Sequence, residues 1–196
     1  MRQSKWLSVG LVPLVLLVVL ACALGSEAQY SNPPPTFQNS DLVGTWEAHY
    51  MEWGSDELIL KADGAFKQVY QDHTVEGYVY ETPWNRWWVE RFSDGRVRVH
   101  LQGARFYAAG IRIAELEGMS GSCPESQPDC SWDKWPFYDP VAGESLYMVG
   151  KLVLNVQSDS SGNLVLLHML LSRDEGFVNV FTGKAIGFNR IEMESP

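Results

Sequence analysis

Arg86-Trp-Trp-Val-Glu-Arg-Phe92, then Ser93-Asp94-Gly95, then Arg96-Val-Arg-Val-His-Leu101: this stretch decides the fold class of the chain. Val97, Val99 and Leu101 alternate with Arg96, Arg98 and His100. A period of two places alternate side chains on opposite faces, which is the signature of a strand. Asp94-Gly95 supplies the tight reversal that joins two such strands. The expectation is a hairpin whose second strand is half-buried, with its charges outward.

The same rhythm continues on both sides. Leu42 to Trp53 reads as a first strand. Glu57 to Lys61 and Ala65 to Tyr70 flank Ala62-Asp63-Gly64, and Gly77 to Glu81 is short, with Tyr78 and Tyr80 on one face. Leu146 to Val156 pairs with Asn163 to Leu171 across Ser160-Ser161-Gly162, and Phe177 to Phe181 with Lys184 to Ile191 across Thr182-Gly183. About nine short strands joined mostly by tight turns must bury one face and hide their edges. An all-β, antiparallel up-and-down barrel of about 8–9 strands does both, and a β-sandwich is the alternative. The rhythm breaks in an insertion over 102–143, where Ala104 to Glu117 has helical spacing and Trp132 and Trp135 follow as a candidate cover.

Two short motifs sit at the ends of this meander: Asp41-Leu-Val-Gly44-Thr45-Trp46, and Phe188-Asn189-Arg190. Gly-x-Trp on the first strand, with a late arginine, resembles the lipocalins and their calycin relatives. The resemblance implies that Trp46 closes the barrel floor, with Arg190 across its ring and bonded to nearby backbone. Such a contact joins the first and last strands and gains about 1–2 kcal/mol when desolvated. The family's Thr-Asp-Tyr motif is missing, and the insertion has no counterpart in a minimal lipocalin.

Before the domain, Arg2 and Lys5 lead into the apolar run Leu11 to Leu20, which ends at Ala21-Cys22. A positive start, an apolar middle and a small-residue exit make an export signal over 1–21. Val19-Leu20-Ala21-Cys22 resembles the lipobox of bacterial lipoproteins, which implies cleavage before Cys22 and lipidation of its thiol. Free secretion after Ala23 or Ala28 and an uncleaved anchor remain open alternatives. Residues 22–40, with Pro33-Pro34-Pro35, read as an extended tether, and 41–196 as the barrel domain. The cysteines are Cys22, Cys123 and Cys130. Lipidation of Cys22 would leave an even pair, and a Cys123–Cys130 disulfide in its polar loop would add only about 2.5 kcal/mol.

Losing Arg2 and Lys5 with the leader takes the formal charge from −9 to −11. So acidic a body argues against nucleic acid and against a basic membrane-binding patch. His49, His73, His100 and His168 are scattered, and the acids Asp129, Asp133 and Asp139 match no metal-binding loop. No zinc-protease, nucleophile-elbow or phosphate-loop motif occurs. No catalytic residue, metal or cofactor is therefore expected, and a calycin-type hydrolase or isomerase is the enzymatic alternative. His168 alternates with Leu164, Leu166 and Leu170, so it is expected to face inward.

Aromatic residues crowd between Tyr78 and Trp88. Tyr78, Tyr80, Trp87 and Trp88 are the candidate lining of a pocket for a small hydrophobic ligand, because such pockets are concave and aromatic-rich. The expected function is an extracytoplasmic, membrane-anchored barrel that binds or carries that ligand. The alternative is a structural or interaction lipoprotein whose interior is filled by its own side chains.

Overall fold

A computed structural model describes residues 30–108, 136–148, 150–170, 173 and 186–191. Their strands are β1 (Tyr30–Ser31), β2 (Gly44–His49), β3 (Gly54–Leu60), β4 (Ala65–Asp72), β5 (Val79–Glu81), β6 (Asn85–Arg91), β7 (Val97–Gln102), β8 (Pro136–Asp139), β9 (Glu144–Tyr147), β10 (Lys151–Asp159), β11 (Leu164–His168) and β12 (Gly187–Arg190). Strands β2, β3, β4, β6, β7, β10, β11 and β12 pair in that order, each antiparallel to the next, and β12 returns to β2. The ring is a closed barrel of eight strands, with β1 bonded to β10 and β5 to β4 outside it. Closure leaves the ring without a free edge, so the sandwich alternative is excluded.

Alternation decides what points inside. Leu58, Leu60, Phe66, Val99, Leu101, Leu152, Leu154, Leu166 and Phe188 are all fully or almost fully buried. Each such side chain contributes about 1.5–3 kcal/mol through removal from water. At the hairpin tips Gly64 and Gly95 take positive φ, and Asp63 and Asp94 accept from the amides of Ala65 and Arg96. A residue with a Cβ pays for that backbone shape, and glycine does not.

The first and last strands meet with Trp46 opposite Arg190. Trp46 is completely buried and its Nε1 donates to the Leu42 carbonyl at 2.8 Å. Arg190 donates to the carbonyls of Val43 (2.7 Å) and Asp41 (3.3 Å). Its guanidinium packs over Gly44, where a Cβ would stand 3.3 Å from Nη2. A short 3-10 turn, Asn39–Leu42, turns the chain under this end and buries Leu42.

Three expectations need correction. Residues 30–40 of the tether are not a free spacer. Tyr30 and Ser31 pair with Asp159 and Ser158, Asn32 bonds to the Asp94 carbonyl, and Phe37 is buried with Arg91 4.8 Å over its ring. A lone phenylalanine among prolines has no periodicity to betray it. Arg98 and His100 are not solvent-facing either; they are buried. They do lie on the outer face of β7, but the β8–β9 hairpin covers Arg98 and the Trp88 indole covers His100. Ala104 to Tyr107 is not helical, because these residues fold over the barrel mouth; the rest of that segment to Glu117 is outside the described residues, apart from Ala108. Cys22, Cys123, Cys130, Trp132, Trp135 and the strand Phe177–Phe181 also lie outside them.

Candidate functional site

The end of the barrel opposite Trp46 carries the β2–β3 turn and the β4–β5 loop. Here polar residues occupy inward positions of the strand alternation. They are Asp56 on β3, Gln68 on β4 and His168 on β11, joined by Tyr50 just past β2. Tyr50 Oη lies 2.7 Å from His168 Nε2 and 3.2 Å from Asp56 Oδ2. Gln68 Nε2 donates to Asp56 Oδ2 at 2.9 Å. The Phe106 and Phe188 rings each stand 5.1 Å from the His168 ring, and Tyr50 lies 6.4 Å from Tyr70 with the rings tilted by 34°. The histidine's inward orientation was legible from its alternation with leucines. Its partners were not, because they lie more than a hundred residues away in sequence.

Burial sets the protonation of this chain. It pushes the Asp56 carboxyl well above the usual range, against the hydrogen bonds from Gln68 and Tyr50 that favour the anion. It pushes His168 down to about 3, so the ring is neutral at neutral pH. Burial also pushes the Tyr50 phenol up, with the charge of Asp56 acting in the same direction. Asp72, at the same end, behaves oppositely. Its desolvation is outweighed by hydrogen bonds from Thr74, Tyr70 and Val75, which hold it below the usual carboxylate range. The two carboxyls at the mouth are thus pushed in opposite directions, Asp56 toward holding its proton and Asp72 toward the anion.

Tyr50 has one hydroxyl hydrogen and two neighbours that want it. If it donates to His168, Asp56 must donate to it; if it donates to Asp56, His168 must. The chain has two proton arrangements, and they exchange the roles of the two outer atoms, Asp56 Oδ1 and His168 Nδ1. Both atoms are buried and have no hydrogen-bond partner among the described residues. Buried polar atoms in native proteins are seldom left so. While Asp56 holds its proton, the site offers one donor and one acceptor inside an aromatic shell.

The insertion begins by covering this chain. Arg105 exchanges two backbone bonds with the Gln68 side chain, both 2.9 Å. Tyr107 stacks on Tyr70 at 3.8 Å and 6°, and Phe106 meets Phe137 edge-on at 5.2 Å. Tyr78 and Tyr80 join them, 6.3 Å from Tyr70 and 5.6 Å from Tyr107 respectively. The other two candidate lining residues lie elsewhere. Trp87 is inside but near the floor turn, its Nε1 donating to the Lys61 carbonyl. Trp88 is outside, 43% exposed. The four residues thus line no common space, because neighbours on a strand face opposite sides. Among the described residues no cluster of three or more metal-ligating side chains occurs.

The two buried groups predict opposite pH effects. An unfolded histidine takes a proton near 6.5, whereas folded His168 does not until about 3. The unfolded chain then binds more protons, so stability is lost as pH falls through that window, by up to about 1.4 kcal/mol per unit. Folded Asp56 keeps a proton that the unfolded chain releases above 3.8, so its contribution is lost as pH rises from there toward its folded value. Urea midpoints between about pH 4 and 6.5 separate them. Asp56→Asn leaves the histidine effect alone and steepens the acid loss. His168→Leu leaves the aspartate effect alone and reverses the slope. Equal slopes in both variants would refute the assigned protonation.

No protein-family model, no curated protein and no solved structure matches the chain.

Proposed function

We propose that this chain is an exported, lipid-anchored barrel of the lipocalin kind that binds a small, mainly apolar molecule bearing one polar head. The observation that carries this reading is a pair of buried atoms without a partner among the described residues, Asp56 Oδ1 and His168 Nδ1, set among Tyr50, Tyr70, Phe106 and Phe188. A head that both donates and accepts, such as a hydroxyl or an amide, complements either proton arrangement of the Asp56–Tyr50–His168 chain. The rest of the ligand would gain about 25 cal/mol for each Å² of apolar surface buried, before the costs of binding. An anionic head does not suit the site, because neutral His168 offers it no counter-ion.

Anchorage rests on the leader and on Cys22. Because the chain is fastened to the barrel wall from Tyr30 onward, only the stretch 22–29 is left between a lipid anchor and that wall. From Cys22 to Tyr30 it can reach at most about 28 Å. The barrel would ride close against its membrane. Of the three prolines, Pro33 is buried while Pro34 and Pro35 are exposed.

Native mass spectrometry of the full-length protein from its own host tests both parts. The carried molecule is expected as extra mass that survives native spraying and vanishes on denaturation. Lipid on Cys22 is expected as mass that persists after denaturation. His168→Leu should release the first and leave the second. A bare native mass would overturn carriage. A second reading is favoured by Phe106 and Tyr107, the protein's own rings at the mouth: a filled barrel that acts through its outer surface. The bare native mass is its expected result.

A further inference from the structure

The outer face of β6 carries a feature that the barrel interior does not use. Trp84, Arg86 and Trp88 alternate outward, and both indoles are nearly half exposed, at 45% and 43%. Large exposed aromatic rings lose hydrophobic stabilisation unless something covers them. Trp88 lies flat: its ring is parallel to that of His100 within 6° at 4.9 Å, which covers one face of the indole. Trp84 lies just before the start of β6, on the same side of the barrel wall as the Lys61 and Lys67 side chains. Beside it lies a hollow of about 430 Å³, lined by Asp63, Ala65, Trp84, Asn85, Arg86 and Gln102. The small side chain of Ala65 makes the depression, and planar polar groups make its walls.

Cations surround both rings. Lys61 Nζ is 3.5 Å from the Trp84 ring centre and Lys67 5.4 Å; Lys151 is 5.7 Å from that of Trp88. Lys67 is paired with Glu81, and His100 with Glu90. Lys61, Arg86 and Lys151 have no ion pair among the described residues. On a chain of formal charge −9, such a cluster is a local reversal of sign. A flat ring presents a platform, guanidinium binds carboxylate through two parallel bonds, and Asn, Gln and Asp bond hydroxyls.

The geometry points to a binding site for an acidic saccharide chain on this face. Sugar rings would stack their C–H faces on Trp88 and Trp84. Arg86, Lys61 and Lys151 would hold the carboxylates, and Asn85, Asp63 and Gln102 the hydroxyls. A membrane surface suits the arrangement less well, because an indole lying flat on its own sheet has no edge to insert. The site is independent of the interior, so its failure would leave the carrier reading untouched.

Calorimetric titration of the full chain with tetragalacturonate tests the assignment. Binding is expected, and Trp84→Ala and Trp88→Ala should each weaken it by about tenfold or more. Arg86→Gln should weaken it by about fivefold or more and flatten its salt dependence. All three side chains are exposed, so unchanged melting temperatures would confirm that the variants fold. A neutral tetramer of β-1,4-linked N-acetylglucosamine should bind about tenfold more weakly, and equal binding would overturn the role given to the cations. No saccharide binding, binding that survives both tryptophan replacements, or capture by phosphatidylglycerol vesicles in place of saccharide would overturn the site.

Discussion

Trp46→Ala is expected to destabilise the barrel by about 3–5 kcal/mol. The indole is fully buried where β2 meets β12. Its removal leaves a cavity that a closed ring of strands cannot collapse to fill, since each strand is bonded on both sides. The Leu42 carbonyl, which accepts from the indole nitrogen, also loses its donor. Trp46→Phe keeps most of the volume and loses only that bond, for a cost of about 1–2 kcal/mol. Urea unfolding measures both through the midpoint at constant slope. Equal losses in the two variants would mean that the hydrogen bond and not the packing carries the floor. An unchanged midpoint in Trp46→Ala would deny it any part in closure.

Arg98→Met is expected to cost a comparable amount, about 3–5 kcal/mol, by a different route. Asp139 is fully buried beneath the β8–β9 hairpin. Arg98 meets its Oδ2 through Nε at 3.1 Å and Nη2 at 2.6 Å, and reaches Glu144 at 2.7 Å. The other oxygen accepts from Val141, Ala142 and Asn155. Removing the arginine therefore strands a carboxylate in a site built around its charge. Asp139→Asn in the same chain should recover part of the loss, and the double-mutant cycle gives the coupling directly. Because β8 and β9 belong to a separate small sheet, the damage should begin there. Hydrogen exchange over 136–147 is expected to accelerate before the barrel itself loosens. Uniform acceleration across β2 to β7 would place Arg98 in the barrel's own stability instead.

The functional consequence of this clamp lies in position. The hairpin follows the segment that carries Phe106 and Tyr107 to the mouth, and Phe137 on β8 packs against Phe106. Arg98 thus ties the cover of the interior site to the outside wall. Loosening the hairpin should loosen that contact, so ligand retention and hairpin exchange are expected to change together in Arg98→Met.

Several residues show where sequence reading works and where it stops. Val97, Val99 and Leu101 were legible as an inward row, and they pair across β6 and β10 as such a row must. Arg98 and His100 were legible as the opposite face. That this face would be covered was not, because the cover comes from residues far along the chain. His168 could be read as inward from its leucine neighbours. Tyr50, inside the expected first strand, and Asp56, between two expected strands, give it chemical meaning, and nothing local marked either. Trp87 and Trp88, adjacent on one strand, were legible as facing opposite sides, and one is buried inside while the other is presented outside; what could not be read was that Trp87 lies near the floor turn, away from Tyr78 and Tyr80.

By itself the sequence determined the all-β class, most turns, the inward rows and the meander order, because alternation and turn chemistry are local and survive in any register. Tertiary structure alone decided that Asp56, Tyr50 and His168 touch, that Phe37 is buried, and which face of β7 meets water. Those outcomes depend on ring closure, which brings strands distant in sequence to one place and changes what each side chain costs to bury.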